Sequence, residues 1–228
     1  MTSIRRMRLE NWSIVCAMGE RIFVTGIDTD IGKTVISAIL VEALEADYWK
    51  PVQAGDLEFS DTAKVRSLTS NQESCFFEES FRLNTPASPH HSALLDGVEI
   101  HLDKIIPPTT PKHLVIEGAG GLMVPLNEKG DMILDVLKKT ATKVVLVSKN
   151  YLGSINHTLS AFEVLKSHGL KVDLIVFNGD QNESTERIIV SSVRPGSVLR
   201  VPSFQSVNKN SVYSFCKSHK NQLISEFI

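Results

Sequence analysis

A glycine-framed segment near the start of the chain has the residue types that bind phosphate groups. In residues 26–34, Gly26 and Gly32 enclose five residues, and Lys33 and Thr34 follow directly. Backbone N–H groups at a helix start point toward phosphate oxygens, the lysine can bridge the outer phosphates, and the threonine hydroxyl can complete a Mg²⁺ shell. The usual P-loop has four residues between its glycines. The segment therefore predicts a variant P-loop that binds a nucleoside triphosphate.

Strand and helix signals alternate along the chain, which predicts a single-domain α/β fold of the P-loop NTPase type with a mostly parallel, doubly wound sheet. Strands are expected at residues 22–24, 48–49, 113–117, 143–147, 172–177 and 198–201. Helices are expected at residues 34–46, 61–69 and 154–168, and one more within the proline-containing region 71–111. Ligands of such sheets bind at the carboxyl ends of the strands, so the residues that end each strand are the candidates for a site.

The composition bounds the class of protein. The chain has 228 residues, 42% of them hydrophobic, and a formal charge of -2 without a basic run, which argues against a nucleic-acid partner. Nothing approaches the roughly 20 apolar residues of a membrane span. The three cysteines show no pairing or metal-binding spacing, which favours reduced thiols and a cytoplasmic location. Residues 1–17 are expected to be a disordered or mis-started extension, and residues 18–228 the ATP-binding domain.

Four polar or strand-ending residues follow the predicted strands, and their types suit phosphoryl chemistry. Glu117 ends an apolar strand as a Walker B acid does, and with Asp61 it can hold a metal ion near Thr34. Lys50 can neutralise a substrate beside the γ-phosphate, or it can be a solvated surface lysine. Asn178 can read a base edge or form a turn with the glycine that follows, and Asp61 can cap its helix, which is compatible with binding a metal ion.

Residues 151–157 lead from a strand into a helix start. The free N–H groups and the positive end of the helix dipole favour an anion there, such as a carboxylate or a phosphate. The alternative is a simple N-cap by Ser154.

A series of motifs in a fixed order resembles those of the dethiobiotin synthetase family, over most of residues 22–204. The motifs are residues 24–34, 49–55, 60–61, 88–90, 115–121 and 152–157, together with Asn178. The resemblance implies an ATP- and Mg²⁺-dependent cyclo-ligase of biotin biosynthesis that acts on 7,8-diaminononanoate and CO₂. In that family an amine carbamate forms, ATP converts it to a carbamic-phosphoric anhydride, and the second amine closes the ureido ring of dethiobiotin as phosphate leaves.

The resemblance also implies roles for individual residues. Lys33 and Lys50 would be catalytic, and Thr34, Asp61 and Glu117 would hold Mg²⁺. The implied ATP-binding residues are Asp30, Ile31, Gly32, Lys33, Thr34, Val35, Asp61, Glu117, Gly118, Ala119, Gly120, Asn178, Gly179 and Pro202. The implied substrate-binding residues are Thr29, Asp30, Lys50 and Ala54, with Leu152, Gly153 and Asn156 contributed by the partner subunit of a homodimer. Many relatives have a hydroxyl residue at the position of Ala54, so any side-chain hydrogen bond to substrate there is lost.

Two other classes of protein share the P-loop. A partitioning or metal-cluster-assembly ATPase of the same superfamily would act as a switch, and such proteins typically place a second lysine four residues before the last glycine of the loop. This chain has Asp28 there, which is opposite in charge. A catalytically idle nucleotide-binding module would not need Lys50 together with both acids, Asp61 and Glu117. Phosphate release that depends on small-molecule substrates separates the synthetase from both.

Overall fold

The computed structural model describes residues 19–225 and residue 227 of the chain. The expectation for residues 1–17 lies outside the described residues. The strands are β1 (Arg21–Gly26), β2 (Asp47–Trp49), β3 (Val52–Ala54), β4 (Phe76–Phe77), β5 (Phe81–Leu83), β6 (Leu114–Gly121), β7 (Lys143–Ser148), β8 (Leu174–Asn178) and β9 (Ser197–Val201). The helices are α1 (Lys33–Leu44), α2 (Asp61–Leu68), α3 (Pro89–Asp96), α4 (Ile133–Thr140), α5 (Ser154–Ser167), α6 (Glu183–Val193) and α7 (Lys209–Ser225).

The main sheet has seven strands in the order β4-β2-β6-β1-β7-β8-β9, and each neighbouring pair is parallel. This confirms the predicted doubly wound α/β class. Strands β1, β6 and β7 lie at its centre and carry apolar runs because both faces of these strands are covered. The register pairs Val24 with Glu117, so the end of β1 and the acid of β6 lie at the same edge of the sheet.

The two faces of the sheet pack against different sets of helices. Side chains of one face, such as Ile22 and Val24, form a core with α1 and α7, whose Val212 and Phe215 are buried there. The other face, represented by Phe23 and Ile116, packs against residues of α3, α4, α5 and α6. This two-sided cover fixes the strand ends on which the site is built.

The expected strands and helices are present, with small differences at their ends. The segment after Pro51 differs, because β3 resumes there and pairs with β5 in a separate sheet of two strands. Helix α5 is only partly covered, since Leu165 is fully buried but Ile155 is exposed. Helices α4, α6 and α7 were not predicted. The buried residues Ile133, Val136 and Leu137 of α4 do have helical spacing, so a signal was there.

Within the described part of the chain, no helix combines the length and the apolar character that crossing a bilayer requires. Of the two cysteines in that part, Cys75 is exposed and Cys216 is buried, and both are free thiols.

Candidate active site

The P-loop connects β1 to α1 through a backbone that few side chains tolerate. Gly32 has a φ of 95°, and the non-glycine Asp30 has a φ of 55°, both in the left-handed region. A Cβ atom on Gly32 would also lie 2.1 Å from the Nδ2 atom of Asn178, so a side chain there would displace that amide as well as strain the backbone. Helix α1 therefore begins at Lys33 with its first N–H groups directed at the loop, the arrangement that binds phosphates.

Lys33 is buried, and its ammonium is already held inside the loop. The Nζ atom donates to the backbone carbonyl oxygen of Asp28 over 2.7 Å. Burial lowers the pKa of Lys33 below its ordinary value, and the nearby Lys50 adds to that effect while Glu117 opposes it. An incoming anion would restore the charge balance of this lysine.

Glu117 is the centre of a hydrogen-bond network within β6, which does not end at this acid as expected but continues to Gly121. Its carboxylate is buried, with only 1% of the side chain exposed. The Oε1 atom accepts from the Thr34 hydroxyl over 2.9 Å and from the Lys50 ammonium over 3.1 Å. The Oε2 atom accepts from the hydroxyl of Tyr48 over 2.8 Å. The acid is thus held by three donors from two segments of the chain, the start of α1 and residues 48–50.

Lys50 joins Glu117 to Asp61, the other acid predicted for the metal site. Its Nζ atom lies 2.5 Å from Oδ2 of Asp61, and only 6% of the lysine side chain is exposed. Burial alone would lower the pKa of Lys50, but the carboxylates of Glu117 and Asp61 outweigh burial and raise it above its ordinary value. A solvated surface lysine is therefore the wrong interpretation of this residue.

Asp61 is the first residue of α2, but it is not the helix cap. Ser60 is the N-cap, and its hydroxyl accepts from the backbone N–H of Ala63 over 3.3 Å. The Asp61 carboxylate instead bonds Lys50 and Lys64. Burial raises the pKa of Asp61, but the two lysines have the larger combined effect and bring the pKa below its ordinary value. The capping alternative for Asp61 is wrong.

A cavity of about 800 Å³ brings most of the predicted site together. The predicted residues that line it are Thr29, Asp30, Gly32, Lys33, Thr34, Lys50, Ala54, Asp61, Glu117, Ala119 and Gly120. Sequence reasoning did not select Gln53 and Lys64, which also line it. Gln53 is buried, and its Oε1 atom accepts from the backbone N–H of Asp61 over 3.2 Å, which fixes the start of α2 beside the cavity.

Four predicted nucleotide residues lie close to this cavity without lining it. Ile31 is buried, and Val35 packs against the core that α1 forms with the sheet. Gly118 lies close to the ring of Phe23, since a Cβ atom on Gly118 would be 2.9 Å from that ring. The side-chain amide of Asn178 donates to the carbonyl oxygen of Ile31 over 2.8 Å and so connects the end of β8 to the P-loop. Gly179, with a φ of 101°, allows a turn after Asn178. The hydrogen bond from Asn178 to Ile31 is compatible with that turn.

The remaining predicted residues lie elsewhere on the same chain. Gly179 and Pro202 line a separate cavity of about 280 Å³. Leu152 and Gly153 line another, of about 510 Å³, and Asn156 is exposed on the first turn of α5. The N-cap of α5 is Gly153, with no side-chain cap, and Ser154 is buried, so the expected capping by Ser154 is wrong.

The donor set around Glu117 suits a hard divalent cation. Among the described residues, no group of three or more His, Cys, Asp or Glu side chains is placed to hold a metal by itself. Two carboxylates and one hydroxyl, those of Asp61, Glu117 and Thr34, converge through shared hydrogen bonds. Mg²⁺ is commonly bound by one or two carboxylates together with substrate phosphates, so this oxygen-only set fits it.

The fold and the loop define a class of protein first. With this parallel sheet, a P-loop between β1 and α1, and the acid Glu117 on the neighbouring strand β6, the chain is a P-loop NTPase. A family model described as "AAA domain" matches residues 20–211. Solved structures share the fold: a ParA family ATPase from Chlorobium tepidum (TM-score 0.51, 11% identity, 87% of this chain and 98% of that one) and the MinC:MinD complex from Aquifex aeolicus (TM-score 0.57, 14% identity, 92% and 97%).

Curated relatives define the family more closely. Proteins named ATP-dependent dethiobiotin synthetase BioD are 55% identical in Christiangramia forsetii (75% of this chain, 82% of that protein), 45% identical in Cytophaga hutchinsonii (86% and 95%), and 43% identical in Rhodopseudomonas palustris BisB18 (90% and 98%). The chain belongs to the dethiobiotin synthetase family.

Proposed function

We propose that this chain is an ATP-dependent dethiobiotin synthetase that joins CO₂ to 7,8-diaminononanoate. The observation that carries the proposal is the convergence of Lys50, Asp61 and Glu117 on one cavity beside the P-loop, in a chain of this family. The reaction has to bring an anionic carbamate to an anionic γ-phosphate, and the cations of this cavity are the groups that offset that repulsion.

The proposed reaction has three steps: carbamate formation, phosphoryl transfer and ring closure. An amine nitrogen attacks the carbon of CO₂, a C–N bond forms, and the nitrogen loses a proton. A carbamate oxygen then attacks the γ-phosphorus of ATP, and the bond to the bridging oxygen of ADP breaks. Finally the second amine attacks the carbamate carbon, the ring closes, and phosphate leaves with its bridging oxygen while the amine loses a proton.

The residues of the chain divide these tasks. The α1 start and Lys33 would hold the phosphates, since the lysine reaches the loop from within. Lys50 would neutralise the carbamate and the transferring group. Thr34, Asp61 and Glu117 would hold Mg²⁺, which supplies charge stabilisation to the phosphoryl oxygens when bound. Asn178, with Gly179 and Pro202, would bind the adenine. Asn178 is next to the P-loop, because its side-chain amide donates to the carbonyl oxygen of Ile31.

The substrate would lie between the P-loop and β3. Thr29, Asp30 and Ala54 line the cavity on that side, and Ala54 contributes contact area but no hydrogen bond from its side chain. The substrate carboxylate would rest on the start of α5 of a second subunit, at Leu152, Gly153 and Asn156. In support of a homodimer, Leu152 is fully exposed at this helix start, next to the exposed Tyr151 and Ile155. We place the enzyme in the cytoplasm.

Phosphate release with and without each substrate tests the proposal. A synthetase needs the diamine and CO₂ together, a switch ATPase needs a macromolecular partner, and an idle module releases none. The likeness to the ParA and MinD structures concerns the fold alone, and Asp28 stands where the switch ATPases typically have a second lysine. The expected result is release that requires both small substrates.

A further inference from the structure

Tyr48 contacts the acid at the centre of the site without lining the cavity itself. Its side chain is fully buried in β2, and its hydroxyl donates to Oε2 of Glu117 over 2.8 Å. Burial and the charge of Glu117 raise the pKa of Tyr48 well above its ordinary value, so the phenol remains a neutral donor. From the sequence alone, Tyr48 is an ordinary core residue of a short strand.

The two oxygens of Glu117 thus have separate partners. Tyr48 holds Oε2, whereas Oε1 receives the Thr34 hydroxyl and the Lys50 ammonium and belongs to the cavity. A carboxylate with one oxygen fixed by a buried donor cannot turn freely about its last bond without losing a charge-assisted hydrogen bond. The other oxygen therefore keeps a constant direction.

Strand pairing explains how Tyr48 and Lys50 hold the same carboxylate. Tyr48 pairs with Val115, and Trp49 pairs with Ile116, so Lys50 reaches the level of Glu117 in the parallel register. Tyr48 and Lys50 are two residues apart, which in extended backbone places their side chains on the same face of the sheet. One segment of chain thereby supplies a donor to each oxygen of the acid.

We propose that Tyr48 is a positioning residue that aims Oε1 of Glu117 at the Mg²⁺–nucleotide position. The inference rests on the proposed function in one respect, that the site binds a nucleotide together with Mg²⁺. It does not depend on which substrate is carboxylated. Outer partners that orient a ligating side chain typically change metal affinity or activity by about 10- to 100-fold when they are removed.

The test measures binding, with no turnover required. The affinity of the full chain for ADP is determined by calorimetry with Mg²⁺ and with EDTA, and the ratio of the two affinities gives the contribution of the metal. In Tyr48→Phe, the ring and its packing against Phe76 remain, and only the hydroxyl is removed. The matched control is Tyr213→Phe, at an exposed position on α7.

We expect Tyr48→Phe to lower the metal-dependent ratio about 10-fold or more while the affinity for ADP in EDTA stays unchanged. Tyr213→Phe should leave both affinities unchanged. In Tyr48→Phe/Glu117→Gln, the ratio should be no lower than in Glu117→Gln alone, because Tyr48 acts through Glu117. Melting temperatures, measured for every variant, show that each is folded at the temperature of the titration.

Three results would overturn the inference. One is an unchanged ratio in Tyr48→Phe, and a second is an equal loss of affinity with and without Mg²⁺, which would indicate a purely structural role. The third is a further loss in the double variant. Wild-type protein that binds ADP equally well with and without Mg²⁺ would overturn the proposed metal site as well, so failure of the proposed function is recognised separately.

Discussion

The Nζ atom of Lys50 lies 2.5 Å from the Oδ2 atom of Asp61, and both residues line the cavity that the P-loop borders. The pair joins the residue that follows β2 to the start of α2. Burial lowers the pKa of Lys50, but the carboxylates of Glu117 and Asp61 outweigh burial and raise it above its ordinary value. This arrangement makes removal of Lys50 informative for both activity and stability.

Lys50→Ala should lower turnover by about 10²–10³, the range for removing one preorganised charge contact to the transition state. ATP affinity should change little, because the P-loop holds the phosphates. The free energy of unfolding should fall by about 3 kcal/mol, since Glu117 stays buried without its cation. Phosphate-release kinetics, titration with an ATP analogue and denaturant unfolding measure these three quantities.

The control for Lys50→Ala is Lys138→Ala, which removes an exposed lysine that pairs with Asp135 on α4. It should change neither turnover nor stability appreciably, because exposed ion pairs contribute about 0–1 kcal/mol. An ATP affinity that collapses as strongly as turnover in Lys50→Ala would reassign Lys50 to the nucleotide site.

Asp61→Asn keeps the size of the side chain but removes an anionic ligand, so the Mg²⁺ concentration needed for half-maximal phosphate release should rise. Glu117→Gln should act in the same direction. Ser60→Ala is the matched control, because it removes the cap of the same helix. It should cost about 1 kcal/mol of stability and leave the Mg²⁺ dependence unchanged. If Asp61→Asn lowers stability but leaves the Mg²⁺ dependence unchanged, Asp61 has a structural role only.

Asn178→Ala should weaken ATP binding about tenfold, as expected for the loss of one hydrogen bond that supports the P-loop at Ile31. Asn208→Ala is the control, since the hydrogen bonds of that side chain join it to its chain neighbours Ser206, Asn210 and Ser211. Calorimetric titration of ATP measures both. An unchanged affinity in Asn178→Ala would show that neither its contact with Ile31 nor a base contact contributes to binding.

Complementation between two inactive variants tests the shared site of the proposed homodimer. Lys33→Ala removes the cation of the phosphates, and Asn156→Asp sets an acid against the substrate carboxylate. In a mixed dimer one site receives both lesions and the other receives none. Random exchange of equal amounts should restore about a quarter of wild-type activity by two-fold symmetry. Activity that stays at the sum of the two variants after verified exchange would show that one chain builds each site.

The elements of the fold that depend on local pattern were predictable from the sequence. The central strands have continuous apolar runs, and the P-loop is recognised by its framing glycines and the Lys33-Thr34 pair that follows, so β1, β6, β7 and the start of α1 were expected close to where they lie. Strands β3 and β5 have three residues each and were missed, because so short a segment shows no alternation.

Contacts between residues far apart in the chain could not be predicted from the local sequence pattern. The hydroxyl of Tyr48 reaches Glu117 because of the strand register, and the amide of Asn178 reaches Ile31 because β8 and the P-loop end at one edge of the sheet. Whether Asp61 caps its helix was also undecided, since aspartate is a common capping residue. The packed fold decides it, because Lys50 and Lys64 bind the Asp61 carboxylate.

The most direct measurement of the proposed function follows carbon and phosphate together. The protein is incubated with ATP, Mg²⁺, 7,8-diaminononanoate and ¹³C-bicarbonate, and product mass and free phosphate are quantified over time. We expect one labelled carbon in a ring-closed ureido product and one phosphate released per ring, with neither formed when the diamine or the bicarbonate is omitted. Phosphate release that proceeds at the same rate without the diamine, or a diamine that remains unlabelled, would contradict the proposal.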